Sequence, residues 1–477
     1  MAGTMTYTSL EDIQKVHRTV TETFHSGLTQ PLAFRRAQLV QLGKLIQENE
    51  ARFLDAMQKD LGKAPLETGI ADAGPVVYSI AKALEKLDEW NAPDRPADLP
   101  AWRAGWDTTV YKTPKGAVLI ITPWNYPYVI GLGPLVGAIA AGCTAALKPS
   151  EALPTVCEMF AELFPRYLDT RAYAIVKGAV RETTCLLEHR WDHIFYTGST
   201  RVGRIVAAAA ARFVTPLTLE LGGKCPVVVA DDTDIAVAAR RILYGKQANA
   251  GQVCVSPDYV LVPRARQDEL LDAFAKVAAE FWPDGSLASP DLANVINAAA
   301  RDRLTGLLAK TRGKVALGGE VEGDRRLAVT IVRDVPEDDI LMEDEIFGPV
   351  LAVVPVDDVE HALRLIRAKP TPLAIYVYTE SDALKQRFLE TTESGTLVLN
   401  DTYQQLAVQE MPFGGKGDSG YGAWFGKDSF DIFVQRRSYV NVPIAADPHL
   451  AVRYPPYTQE KLDILAGFGL RMPLPKE

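Results

Sequence analysis

Residues 115–151 read KGAVLIITPWNYPYVIGLGPLVGAIAAGCTAALKPSE, and this stretch decides the fold. Ala117 to Ile121 is a short β-branched and apolar run, closed by the proline-bearing turn Pro123-Trp124-Asn125-Tyr126-Pro127. A longer helical run follows, and Thr144 to Leu147 returns to the strand pattern. Strand, helical connection and strand make a βαβ unit, whose crossover leaves the two strands parallel. The apolar segment Val129 to Leu147 is broken by Pro134 and by glycines, so it falls short of the roughly 20 uninterrupted apolar residues of a membrane span. Gly131-Leu132-Gly133 lacks a third glycine at Val136, fails as a dinucleotide fingerprint and reads as core packing.

Downstream, strands are expected at Tyr173 to Val176, His193 to Tyr196 and Leu217 to Leu219, with helices between them. That is a Rossmann-like half with a parallel sheet. A second α/β series follows Gly223, with strands at Val227 to Val229, Tyr259 to Val262, Thr330 to Val332, Leu351 to Val354, Ile375 to Tyr378 and Thr396 to Leu399. The acidic stretch Asp334 to Asp344 reads as a surface loop. After Phe413 come a glycine-rich turn, a strand at Ser438 to Val442, and a tail. Upstream, Thr8 to His25 and Leu32 to Leu61 carry the three- and four-residue apolar spacing of helices. Proline then breaks the pattern over Asn91 to Trp102, and Trp106 to Lys112 alternates like an exposed strand.

With 51 basic and 60 acidic residues the 477-residue chain carries a formal charge of -9, which supplies no basic field for a polyanion; nucleic acid is not an expected partner. Five scattered cysteines without a CxxC fit reduced thiols, and six histidines outside any HExxH context give a metal site no support. The N-terminus lacks the pattern of a secretory signal, so the expected address is cytoplasmic, and Asn400-Asp401-Thr402 matches the glycosylation pattern by chance.

Three positions invite chemistry. Cys254, in Asn249-Ala250-Gly251-Gln252-Val253-Cys254, has the polar, glycine-flanked setting that a nucleophilic thiol needs, although a bland buried thiol remains open. Glu220 ends a strand ahead of Leu221-Gly222-Gly223, where open α/β sheets place their sites; a cap or ion-pair role is the alternative. Asn125 sits in a turn rigid enough to aim an amide at an oxyanion, or to bond only to itself. Gly198-Ser199-Thr200-Arg201-Val202-Gly203 follows a strand and opens a helix, the arrangement that presents backbone N–H groups to a pyrophosphate.

Taken together, these pieces resemble the aldehyde dehydrogenase superfamily over essentially the whole chain. Glu220 and Cys254 lie 34 positions apart, in a Leu-Glu-Leu-Gly-Gly-Lys box and a Gly-Gln-Val-Cys box. Cys254-Val255-Ser256-Pro257-Asp258-Tyr259, Pro412-Phe413-Gly414-Gly415 and Gly426-Lys427-Asp428-Ser429-Phe430 are similar to class 3, the fatty and aromatic aldehyde dehydrogenases. Asp418, where relatives often have Asn, and Val253 depart from the pattern.

The resemblance implies an α/β fold with a Rossmann-like NAD-binding domain over residues 1–222, a bridging segment at 97–113, an α/β catalytic domain over 223–412, and a return segment, small β oligomerisation element and tail over 413–477. It implies Cys254 as nucleophile, Glu220 as base for the hydrolytic water, and Asn125 with the Cys254 N–H as oxyanion donors. Lys148 and Glu151 match the contacts of the adenosine ribose, Gly198, Ser199 and Gly203 the pyrophosphate turn, and Glu345, Phe347 and Trp124 the surroundings of the nicotinamide ribose. Glu151 favours NAD, with NADP also admitted. Tyr78, Trp124, Tyr403 and Met411 are the candidate pocket walls, with core packing as the alternative for each. The expected substrate is an apolar aldehyde: long-chain aliphatic first, aromatic second, a polyene aldehyde such as an apocarotenal third. A CoA-acylating relative would usually lack Glu220, and a non-catalytic relative tends to lose the nucleophile or cofactor contacts. The class further implies a homodimer. Some members carry a C-terminal membrane anchor that these residues lack, so the protein is expected to be soluble or, if an anchor was removed, membrane-associated. Gln459 to Leu470 is expected as a short amphipathic helix packed on its own domain, with peripheral membrane contact as the alternative.

Overall fold

The computed structural model describes residues 5–471 and 473–475. One compact unit comprises Met1–Trp90 and Pro114–Val434, and a second comprises Asn91–Thr113 and Gln435–Glu477.

The first unit holds two sheets. In the six-stranded sheet the order is Gly420–Tyr421, Leu217–Glu220, His193–Thr197, Ala117–Ile121, Thr144–Lys148, Tyr173–Ile175. Its five longer strands run parallel, and Gly420–Tyr421 adds an antiparallel edge on Leu217–Glu220. The chain starts at Ala117–Ile121, builds outward through Thr144–Lys148 and Tyr173–Ile175, then returns to lay His193–Thr197 on the other side. Strand order therefore reverses between Ala117–Ile121 and His193–Thr197, and such a reversal opens a crevice at the carboxyl ends of the strands. The seven-stranded sheet runs Thr396–Leu399, Ala374–Tyr378, Pro226–Val229, Tyr259–Pro263, Val350–Val356, Thr330–Arg333, Lys314–Leu317, parallel except for its last pair.

Helix Pro127–Ala141 explains the glycines of the opening stretch. All of its residues except Val129 are buried. A Cβ on Gly133 would stand 2.7 Å from the Trp424 ring, and one on Gly137 would stand 2.1 Å from the Ser429 carbonyl oxygen. Gly133 thus admits the Trp424 ring, the packing role expected of it, and Gly137 admits the Ser429 backbone.

Several expectations need correcting. The helix expected over Leu32 to Leu61 is two, Leu32–Gln47 and Glu50–Leu61. At the break the Asn49 side chain donates to the Leu45 carbonyl, a local bond that competes with helix continuation. Lys314–Leu317 and the small hairpin of Val321–Glu322 with Arg326–Leu327 were not expected; their residues are largely exposed and show no apolar alternation. The acidic stretch is not wholly surface, because Asp339, Leu341 and Met342 are buried; the Asp339 carboxylate accepts from the Thr311 hydroxyl and the Arg312 and Leu341 N–H groups.

The second unit contains a two-stranded sheet of Asp107–Pro114 with Val434–Asn441. Its helix Gln459–Ala466 is shorter than expected, and Ala466 is its only buried residue. Leu462, Ile464 and Leu465 are exposed, while the Phe468 ring beyond the helix meets the Trp102 ring edge-on, 6.4 Å between centroids, so the segment packs on its own unit only in part. Among the described residues no helix is long and apolar enough to cross a membrane.

Candidate active site

Three parallel strands deliver their carboxyl ends to one cleft of about 790 Å³, within the usual range for small-molecule sites. Ala117–Ile121 leads to Trp124 and Asn125, His193–Thr197 leads to Gly198 and Ser199, and Leu217–Glu220 ends on Glu220 itself. Cys254, Glu345 and Phe347 reach the same cleft from the half that carries the seven-stranded sheet. The two halves together thus collect residues separated by more than 200 positions, from Trp124 to Phe347.

Cys254 is half-buried, whereas Cys143, Cys157, Cys185 and Cys225 are buried. It follows a left-handed run at Asn249, Ala250 and Gly251, with φ of 48°, 52° and 68°. Non-glycine residues adopt that conformation only when their surroundings hold it, and here the Asn249 side chain donates to the Asn125 and Gln252 carbonyls, each at 3.1 Å. Burial, then the carboxylates of Glu345 and Glu220, push the Cys254 thiol well above the ordinary thiol range. In this state Cys254 carries its proton, and ionisation requires a base or a compensating positive charge.

Glu220 is 3 % exposed, and neither carboxylate oxygen has a hydrogen-bond partner. Burial alone pushes its pKa well above the carboxylate range. A buried carboxyl without partners, lining a cleft, is poised to exchange protons with whatever the cleft holds. Asn125 Nδ2 donates to the Gln252 carbonyl at 3.1 Å, while its Oδ1 is buried without a partner. Glu345 lies against Gly222, where a Cβ would be 2.4 Å from Oε2; burial and the charge of Asp258 raise it to about 8. The Phe347 ring meets the Trp124 ring edge-on, 5.5 Å between centroids.

A dinucleotide fits these residues. Helix Thr200–Ala211 starts at the cleft with Ser199 as its N-cap, and Thr200 and Arg201 line the cleft beside it. The unpaired N–H groups of a first helical turn favour an anion. Gly203 lies one turn inside, buried against Leu221, and packs the helix rather than lining the cleft. Lys148 and Glu151 form a 2.8 Å ion pair at the carboxyl end of the next strand, beside the cleft and outside its lining. Among the described residues no group of three or more His, Cys, Asp or Glu side chains could hold a metal ion.

Comparison with known proteins joins this geometry to a family. The model of the aldehyde dehydrogenase family matches residues 1–439. The chain belongs to the aldehyde dehydrogenase family. It is 42% identical over 451 residues to aldehyde dehydrogenase family 3 member A2 of Rattus norvegicus, covering 94% of this chain and 93% of that one. The solved substrate-bound state of Staphylococcus aureus AldH superposes with a TM-score of 0.92 at 36% identity, covering 96% of this chain and 99% of that one. An aldehyde dehydrogenase of Mycobacterium tuberculosis, solved complexed with NAD+, superposes with a TM-score of 0.82 at 26% identity, covering 92% and 91%. The protein is an NAD(P)-dependent aldehyde dehydrogenase, an oxidoreductase that uses a nicotinamide cofactor.

In this aldehyde dehydrogenase, eight of the residues singled out from sequence line the cleft: Trp124, Asn125, Gly198, Ser199, Glu220, Cys254, Glu345 and Phe347. Of the candidate pocket walls, Trp124 lines this cleft and Tyr78, Tyr403 and Met411 do not. Tyr78 is exposed, donates its hydroxyl to Glu410, and lines a separate cavity of about 200 Å³ with Trp90 and Gln409. Met411 is 60% exposed, and Tyr403 donates its hydroxyl to the Gly245 carbonyl.

Sequence reasoning missed the residues that hold the cleft's rim. Asp258 accepts from the Ile346 N–H at 3.2 Å on both oxygens and pairs with Lys224 Nζ at 2.7 Å, fixing the segment that carries Glu345 and Phe347. Lys224 stood in the Gly-Gly-Lys box and Asp258 in the Pro-Asp-Tyr box, so the signal was present but had been given no role.

Proposed function

We propose that this enzyme oxidises an apolar aldehyde to its carboxylic acid through a thioester on Cys254, with NAD as the preferred acceptor and NADP as the second. The Cys254 thiol passes its proton to Glu220, which releases it to solvent, and the sulfur bonds to the aldehyde carbon while the carbonyl electron pair moves to oxygen. The Asn125 side-chain amide and the Cys254 N–H stabilise that oxyanion, each such donor being worth about 3–4 kcal/mol in comparable sites. The bound nicotinamide supplies the acceptor for the hydride that leaves the former aldehyde carbon. Glu220 then takes a proton from the water that cleaves the thioester, releasing the acid and restoring the Cys254 thiol.

Gly198, Ser199 and the first turn of helix Thr200–Ala211 hold the pyrophosphate, with Gly203 packing that helix against Leu221. Lys148 and Glu151 take the adenosine ribose, and Glu345, Phe347 and Trp124 border the nicotinamide end. A carboxylate at Glu151 repels a 2'-phosphate, which supports NAD over NADP. Long-chain aliphatic aldehydes come first as substrates, aromatic aldehydes second and polyene aldehydes third, by likeness to family 3. The enzyme acts as a homodimer.

One observation carries this reading: Glu220, buried and unpartnered, shares a cleft with Cys254, the least buried thiol, and with the Asn125 amide. The test is reduced-nicotinamide formation from hexanal, hexadecenal, benzaldehyde, coniferaldehyde and an apocarotenal, with NAD or NADP, for wild type and Cys254→Ala. Activity that vanishes in Cys254→Ala is expected. Activity surviving that substitution, or absent from every aldehyde, overturns the mechanism.

A further inference from the structure

Beneath the cleft, the Asn125 peptide rests on a buried charge. Lys63 has no exposed surface, donates to the Asn125 carbonyl at 2.8 Å, and places its ammonium 3.5 Å from the centroid of the Tyr126 ring. Burial lowers its proton affinity, and the charges of Glu67 and Asp72 oppose that loss through space. Burying an ammonium without a directly contacting carboxylate is costly, and hydrogen bonding to a carbonyl over an aromatic face recovers part of that cost. The Lys63 charge is thus held against the backbone carbonyl of the residue whose side-chain amide lines the cleft.

The rest of the network fixes the same peptide. Asn249 Nδ2 donates to the Asn125 carbonyl at 3.1 Å, so both of its acceptor positions are used. Gln252 closes the ring: its carbonyl accepts from Asn125 and Asn249, its Nε2 donates to the Asn249 and Asn294 carbonyls, and its Oε1 accepts from the Ile296 N–H. The turn of Asn125 and the turn that leads to Cys254 are thereby one buried unit. Lys63 is its only charged member. The Asn125 amide spends one N–H on Gln252 and keeps the other for a ligand.

We infer that Lys63 is the positioning residue of the oxyanion site. Its ammonium fixes the Asn125 peptide, and through it the side-chain amide, and leaves a fixed positive charge behind the place where oxyanion charge develops. The inference rests on the proposed thioester mechanism. The aldehyde is neutral in the ground state and its oxygen anionic once sulfur has added, so the effect belongs to the transition state: it alters kcat and leaves KM alone.

The test compares wild type, Lys63→Met and Asn249→Ala in the full-length enzyme with an aldehyde that wild type oxidises. Lys63→Met keeps length and apolar bulk while removing the charge. Its kcat is expected to fall roughly 30- to 300-fold, with the aldehyde KM and NAD affinity within about threefold. Asn249→Ala removes one of the two donors and should lower kcat roughly tenfold at constant KM. If Lys63→Met does not fold, that variant decides the matter. A kcat within threefold of wild type, or a loss lying wholly in KM, overturns the inference. Wild type that oxidises no aldehyde overturns the underlying mechanism instead, so the two failures are distinguishable.

Discussion

Glu220 shows how one carboxyl links stability to chemistry. The folded protein holds its proton well above the carboxylate range because the group is buried and unpartnered, whereas an unfolded glutamate releases it near about pH 4.3. Between those limits the folded state binds the extra proton, so stability is fully present below the unfolded value and is lost as pH rises toward the folded one. Glu220→Gln is neutral at every pH and escapes the loss. Thermal melts should therefore coincide with wild type near about pH 4 and lie higher for the variant near about pH 8, while turnover at pH 8 drops by about 100-fold or more. A variant that melts below wild type at the higher pH contradicts the assignment. Glu220 was legible because its strand and the following glycines are local patterns. Lys63 was not, because Gly62-Lys63-Ala64-Pro65 reads as a solvated turn and nothing local reports that the turn is covered.

At the scale of elements, strands were the easier part to read. Ala117–Ile121 and Thr396–Leu399 have the expected bounds, since each is a short apolar run between breakers. Exposed strands such as Lys314–Leu317 carry no such contrast, and the break at Asn49 depends on a side-chain bond that periodicity cannot display. Helix Pro127–Ala141 supplies the prediction at this scale. Gly137→Ala gains about 1 kcal/mol of intrinsic helix propensity, yet its Cβ would stand 2.1 Å from the Ser429 carbonyl oxygen, which belongs to backbone and cannot swing away. Overpacking of this kind typically costs about 1–3 kcal/mol, so the variant should unfold at lower urea than wild type despite its better helix former. Unchanged or greater stability would mean that Ser429 moves aside. Because this helix begins two residues after Asn125, a displaced helix should also lower kcat.

For the whole molecule, the residues that line the cleft all belong to the first unit. The second unit is built on a two-stranded sheet in which Asp107–Pro114 is bridged on its other side by Asp94 through Val110, while Val434–Asn441 forms an edge, and a ribbon of this size is marginal alone in water. Strand Val434–Asn441 is exposed from Gln435 onward, and Tyr439, Val440, Val442 and Ile444 present apolar surface beside it. The sequence anticipated an exposed strand at Trp106 to Lys112 and a strand at Ser438 to Val442, but only the fold displays how little of Val434–Asn441 is covered. A second copy of the chain, supplying the same strand edge, satisfies both the unpaired backbone and the apolar surface, and identical edges favour a two-fold arrangement. Light scattering is therefore expected to give twice the chain mass. Val440→Asp combined with Tyr439→Asp, which places charge on the edge and leaves the first unit untouched, should give one chain mass with native circular dichroism. A monomeric wild type at micromolar concentration would remove the homodimer, whereas a dimeric double variant would place the interface elsewhere on the molecule.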